Sequence, residues 1–288
     1  MYSLIIKNKD GLKLEFNSLR AAYNITNIKG LYPPKTTINT SQSALVDGST
    51  FNSAKVNSRS INMAFTIEYP VESNRLAIYK VLRPKEPITM YYKSSKLDVY
   101  IEGYVESIEV GHFDVKQKAT ISILCPQPYL KSAAAVVDEL TNLIRSFHFP
   151  FYNPVEEQDL VFGHIEDTAQ AIVVNNGGIE TGIVIEIFCK NNAFSNPTIY
   201  NYDTQEYIAL DYTFEVGETV VINTVQGEKS ITSIKNGIHT NIFNSLVRGS
   251  TWLQLPAGGA TYVYTVEPSG SEQFAEITIS HNDLYEGV

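Results

Sequence analysis

A chain of 288 residues, 43% of them hydrophobic, is long enough for two buried cores and too apolar for intrinsic disorder. Charged residues reach only 18% while Tyr and Phe number 18 and 13, a composition that points to strands and to surface covered by other protein. The net charge of −9, with 22 Lys and Arg scattered along the chain, argues against specific nucleic-acid binding, which needs clustered cations.

The segments MYSLIIK and LKLEF flank Asn8-Lys9-Asp10-Gly11 and predict an opening β-hairpin. The start carries no apolar run of signal-peptide type, and no apolar stretch reaches bilayer length, so the expectation is synthesis in the cytosol without membrane insertion. Residues 32–59 are polar, turn-rich and long, and a loop of this kind is usually functional or bound to a partner. Within it, residues 36–39 and 53–57 predict the arms of a projecting hairpin. Residues 61–69 (INMAFTIEY) read as a further strand.

A helix is predicted over 73–82, capped by Ser73, with Leu76, Ile78, Tyr79 and Leu82 at helical spacing and Pro84 ending it. In 97–110 the apolar phase changes between Val99 and Ile101 on one side and Ile108 and Val110 on the other, which predicts a bulge near Gly103. KATISILC alternates with period two, as a half-buried strand does. Residues 132–147 predict a second helix, with Ala135, Val136, Leu140, Leu143, Ile144 and Phe147 in one stripe. The proline-punctuated FPFYNPVEEQ then marks the domain break. Beyond it, short segments such as GIVIEIF, TVVINT, TYVYTV and FAEITIS, separated by glycine turns, predict a β-sandwich.

Reactive chemistry finds little support. Cys125 and Cys189 sit in apolar strand-like runs and read as separate buried thiols of a reducing compartment. The five histidines (His112, His148, His164, His239 and His281) lack metal-ligand spacing. Gly177 and Gly182 have the glycine spacing of a phosphate loop, but Ile183 and Val184 stand where Lys and Ser/Thr are required. The carboxylate pairs Glu156/Glu157, Glu166/Asp167 and Glu180/Glu186 are of the residue type a glycosidase uses, but they read first as solvated charges of loops and strands. The lone Trp252 reads first as core or interdomain packing, with stacking on a sugar ring as the alternative. The reading assigns no catalytic residue, no cofactor and no metal.

Several runs carry a family likeness in order along the chain. They are Ile28-Lys29-Gly30-Leu31; Asp47-Gly48-Ser49-Thr50-Phe51; Val56-Asn57-Ser58-Arg59-Ser60-Ile61; and the strand closing in Cys125-Pro126-Gln127-Pro128-Tyr129. In the second half they are Val173-Val174-Asn175-Asn176-Gly177, Thr219 to Thr224, and Trp252-Leu253-Gln254-Leu255-Pro256-Ala257-Gly258, where Ala257 and Gly259 depart from the family pattern. In these features the chain resembles the phage distal tail protein family.

That resemblance implies a mainly β fold. It places an N-terminal ring-forming domain with one helix and a projecting hairpin in 1–130, a helical linker in 131–150, and a C-terminal galectin-like β-sandwich in 151–288. It implies a structural, non-enzymatic role at the virion tail tip, with synthesis and assembly in the host cytoplasm. Six copies would form a ring that connects the tail tube protein to the hub and to receptor-binding proteins, with DNA passing through the channel. Pro33, Pro34, Thr36, Ile38, Phe51, Val56 and Arg59 fall where the ring contact is expected. The alternative reading is a carbohydrate-binding module for host surface glycans, using Trp252.

Overall fold

Period-two alternation along most of the chain resolves into strands. The computed structural model describes residues 2–17, 22–42, 47–113, 116–145 and 163–288, excepting the side chains of 17, 141–145 and 163–169. They form two units, Met1–Ala134 with Leu284–Val288, and Ala135–Asp283.

The first unit opens with β1 (Ser3–Asn8) and β2 (Lys13–Asn17), the expected hairpin. Asn8 closes its turn by accepting the N–H groups of Asp10 and Leu12 on Oδ1, at 3.1 and 2.9 Å. There follow β3 (Tyr23–Lys29), β4 (Thr36–Ser41), β5 (Thr50–Val56), β6 (Arg59–Ile67), the helix α1 (Val71–Val81), β7 (Pro87–Lys93), β8 (Asp98–Val110), β9 (Lys118–Cys125) and β10 (Leu130–Ser132). The main antiparallel sheet has the order β2-β1-β7-β8-β9-β6-β3. Its end strands β2 and β3 approach each other, so the sheet curls around its core.

Inward residues alternate along each strand: Leu4 and Ile6, then Ile61, Met63, Phe65 and Ile67, then Ala119, Ile121, Ile123 and Cys125. Phe16, Tyr23 and Phe65 meet with ring centroids 5.0 to 5.8 Å apart. The Tyr23 hydroxyl donates to Asn74 O at 2.9 Å and ties α1 to this cluster.

The helix starts two residues before the expected cap. Pro70, not Ser73, is its N-cap, and there is no side-chain cap bond. Asn74 ties the first turn down instead, donating from Nδ2 to Glu68 O at 2.9 Å. The phase change in β8 is real, but its bulge lies between Val105 and Ser107 rather than at Gly103. Gly103 serves close approach: a Cβ there would lie 2.8 Å from Cys125 Sγ and 2.9 Å from Leu124 O.

The second unit comprises β11 (Val136–Arg145), β12 (Gly163–Val173), β13 (Thr181–Gly182), β14 (Val184–Cys189), β15 (Phe194–Asn201), β16 (Tyr207–Ala209), β17 (Thr213–Phe214), β18 (Thr219–Asn223), β19 (Ser230–Lys235), β20 (Ile238–Asn241), β21 (Gln254–Leu255), β22 (Ala260–Glu267) and β23 (Ala275–His281). One sheet runs β11-β23-β14-β18-β19-β20 and the other β12-β22-β15-β16, with β17 on β15. The two sandwich a core of Ile185, Ile187, Val220, Ile222, Ile277 and Ile279 against Phe194, Ile199, Tyr262 and Tyr264. The chain then returns to the first unit as β24 (Leu284–Tyr285), paired with β10.

The second expected helix is a strand. Residues 136–140 of β11 pair with β23, and the strand then crosses to β12. Phe147, the last residue of the supposed helical stripe, lies outside the described residues. The described part of the expected linker, 131–145, is therefore strand and bend instead of helix. Sheet pairing, with β23 over 136–140 and with β12 beyond, has overridden the helix-like spacing of Leu140, Leu143 and Ile144.

Candidate assembly surface

The strands β4 and β5 form a structure unlike the rest of the first unit. Among the described residues β4 and β5 pair only with each other, Thr36 opposite Val56 and Ile38 opposite Ala54, with a register shift after Asn39. Every residue of the two strands is exposed except the half-buried Val56. Short polar side chains knit the ribbon: Asn39 Nδ2 donates to Ser53 Oγ at 2.9 Å, and Asn57 Nδ2 to Thr37 Oγ1 at 2.9 Å. Ile38 and Phe51 are each 63% exposed and take no part in the apolar core of the unit. A two-stranded ribbon alone is marginal in water, and both of its outer edges carry unpaired peptide groups.

The seven residues expected at the contact do not share one role. Pro33, Thr36, Ile38 and Phe51 are exposed, and Pro34 and Val56 are half-buried at the root. Arg59 is the correction. It is 2% exposed and turned into the first unit, where Nη1 donates to Gly30 O at 3.2 Å and Nη2 to Glu286 O. Its side chain is therefore not a contact for a second molecule. Apolar groups that the sequence did not single out stand fully or largely in solvent on the same unit: Tyr32 at 63%, Tyr69 at 91% and Phe113 at 102%. Nothing local marks them, because exposure is a property of the folded surface.

Cys125 and Cys189 are fully buried free thiols, and burial pushes Cys125 up to about 11. Gly177 N donates to Asn175 Oδ1 at 2.9 Å, and a Cβ on Gly182 would sit 2.5 Å from Val225 Cα, so both glycines serve turns and close packing. Glu180 and Glu186 are exposed. Glu156, Glu157 and His148, and the side chains of Glu166, Asp167 and His164, lie outside the described residues. His112 and His239 are exposed, and His281 is buried with Nε2 3.3 Å from Asp283 Oδ1. Among the described residues no group of three His, Cys, Asp or Glu converges as a metal site would, and no helix is long and apolar enough to cross a membrane.

Trp252 is half-buried against the sandwich core. Its ring stacks on Phe243 at 5.7 Å, and Lys229 Nζ lies 5.3 Å from its centroid. One buried carboxylate is spent on structure: Glu218 accepts the Tyr212 hydroxyl at 2.5 Å, the Ser233 hydroxyl and the Glu215 N–H at 2.9 Å. Burial, then the bond to Glu218, push the Tyr212 phenol up.

Two family models match the chain. Residues 9–125 match the phage tail protein RIFT-related domain, and residues 176–285 match the siphovirus-type tail component, C-terminal domain. No curated protein matches. Among solved structures, the SPP1 Dit (gp 19.1) protein, described as a paradigm of the hub adsorption apparatus in phages infecting Gram-positive hosts, has a TM-score of 0.68 at 13% identity and covers 98% of each chain. A chain of the phage P2 baseplate in its activated conformation with Ca has a TM-score of 0.56 at 11% identity over 100% of both chains. The phage p2 baseplate with Sr gives 0.53 at 12%, over 97% of this chain and 98% of that one.

The two-unit β fold and the paired family matches define a structural component of a siphovirus-type tail, a part of the virion. The chain belongs to the phage distal tail protein family.

Proposed function

We propose that six copies of this chain close into a ring at the tail tip that joins the tail tube to the hub and, through it, to host-recognition proteins. In this reading the first unit, Met1–Ala134 with Leu284–Val288, forms the ring, and the sandwich of the second unit, Ala135–Asp283, lies outside it. The observation that carries the reading is the unsupported β4–β5 ribbon with Ile38 and Phe51 in solvent. Such an element gains its apolar burial and edge pairing from a second molecule. A head-to-tail contact closes into a ring when its rotation permits, and the same surface then repeats in every copy. The charge of −9 per chain suits a channel through which DNA passes without adhering.

Size-exclusion chromatography with light scattering tests this directly. The expected species has about six times the chain mass of 32.1 kDa, alone or with the tube or hub protein added. A particle that stays monomeric across concentrations and in the presence of both partners would sink the proposal.

A further inference from the structure

The ribbon leaves the first unit through a built root. Its incoming strand passes Gly30 and Leu31, and its outgoing strand passes Asn57 and Arg59. Gly30 adopts φ +94, and a Cβ there would lie 2.2 Å from Ser60 O, so the two strands cross too closely for a side chain. Asn57 N donates to Lys35 O at 3.1 Å. A third segment, 227 residues along the chain from Arg59, completes the crossing. Val288 N donates to Leu31 O at 3.0 Å, and a Cβ on Gly287 would touch Leu31 O and Pro33 Cδ at 3.0 and 3.1 Å.

Arg59 lies at the centre. It occupies the first inward position of β6, opposite Cys125. Its two terminal nitrogens reach one carbonyl on the incoming strand, Gly30 O, and one on the C-terminal segment, Glu286 O. A planar guanidinium spans two carbonyls in a fixed fork, which an ammonium does not. Desolvation also makes this charge costly to bury, so its position calls for a use.

We infer that Arg59 and the residues 286–288 it holds form a clip that fixes the direction in which the β4–β5 ribbon leaves the first unit, and so sets the contact between copies. Arg59 acts as a positioning residue: it touches no partner. The effect on assembly rests on the ring reading above; the clip itself does not.

Spin labels on Lys55→Cys in the ribbon and Thr120→Cys on β9, both exposed, measure the direction as an electron–electron distance. The native Cys125 and Cys189 are buried and stay unlabelled. The labelled chain is diluted with excess unlabelled chain so that only distances within one copy count. The expected result is one narrow distance in the parent chain. That distance is lost in Arg59→Met and in a chain ending at Tyr285, partly kept in Arg59→Lys, and assembly falls in the same order.

A narrow distance surviving in both the truncated chain and Arg59→Met overturns the inference, as does a broad distance in the parent. If Arg59→Met does not fold, the truncation decides, because it keeps Arg59. Loss of the narrow distance with ring formation unchanged overturns the assembly effect. A parent that never forms rings, yet loses its narrow distance in both variants, refutes the ring while supporting the clip.

Discussion

Replacing Phe51 by Asp separates folding from assembly. In the free chain Phe51 is 63% exposed on a ribbon outside the core, so the substitution removes almost no intramolecular packing. Its cost to the folded monomer is about 0.5 kcal/mol or less, the range of ordinary surface changes. At a contact between copies the same ring is an aromatic anchor. Losing such an anchor costs roughly 2 to 4 kcal/mol, or about thirtyfold to a thousandfold in the dissociation constant of each contact. Every contact in a closed ring carries the same loss, so assembly should shift far to higher concentration. The assay pairs thermal unfolding with light scattering over a dilution series, for Phe51→Asp and for Ile38→Asp. Variants that melt like the parent but remain monomeric fit the reasoning. Variants that assemble at the parent's concentrations refute it, and variants that unfold show that the ribbon stabilises its own unit.

Other expectations follow from the two cores. Gly30→Ala should cost about 2 to 4 kcal/mol in denaturant titration, combining the left-handed backbone with a backbone clash, whereas Gly11→Ala, at φ +82 with nothing within 4 Å, should cost only about 1 to 2 kcal/mol. Equal losses would show that the strand crossing is not the constraint. Glu218→Ala removes the acceptor for Tyr212, Ser233 and the Glu215 N–H. It should destabilise the second unit by about 3 kcal/mol, read from the fluorescence of Trp252, the chain's one tryptophan.

Cys125 carries a pH dependence. Its folded value is raised from 9.0 to about 11 by burial, so the protein favours the neutral thiol. The contribution is fully present below pH 9.0, where the unfolded thiol begins to ionise, and is lost as pH rises toward about 11. Denaturant midpoints across that window should fall less in Cys125→Ala than in the parent, once each is referred to its own value at neutral pH. Parallel curves would contradict this.

Where one face of an element is buried and the pattern is local, the sequence is legible. The β1–β2 hairpin, the alternation of β9 and the arms of the ribbon follow from turn residues and period two. β11 reads as a helix because its alternation is concealed. Val136, Asp138 and Leu140 point to the more buried side, and a carboxylate stands where an apolar residue would reveal the strand. The neighbouring alanines and the Leu140, Leu143, Ile144 spacing then imitate a helix. Arg59 reads as a surface contact for a different reason. An arginine after a polar loop looks solvent-facing, and the carbonyls that bury it come from Gly30 and Glu286, whose nearness no local pattern announces. Ile38 and Phe51 stand out as a candidate contact because a long polar loop carries them and because the family resemblance expects the ring contact in that stretch.

The same two residues show why folding and assembly are separate problems for this chain. Each unit already holds a closed apolar core without help: aromatic packing around Phe65 in the first, two isoleucine-lined sheets in the second. The ribbon does not share in either, so its order must come from its root and from whatever covers it. Holding a two-stranded ribbon in one direction before binding lowers the entropy lost when a partner arrives. A clip at the root and an anchor near the tip therefore act on different terms of the same free energy, preorganisation and contact. Combined in one chain, Arg59→Lys and Phe51→Ala should weaken assembly by close to the sum of their separate effects, since neither side chain touches the other. A large positive coupling would mean that Phe51 binds only when the clip holds. That would make the clip a condition for the contact instead of an independent aid to it.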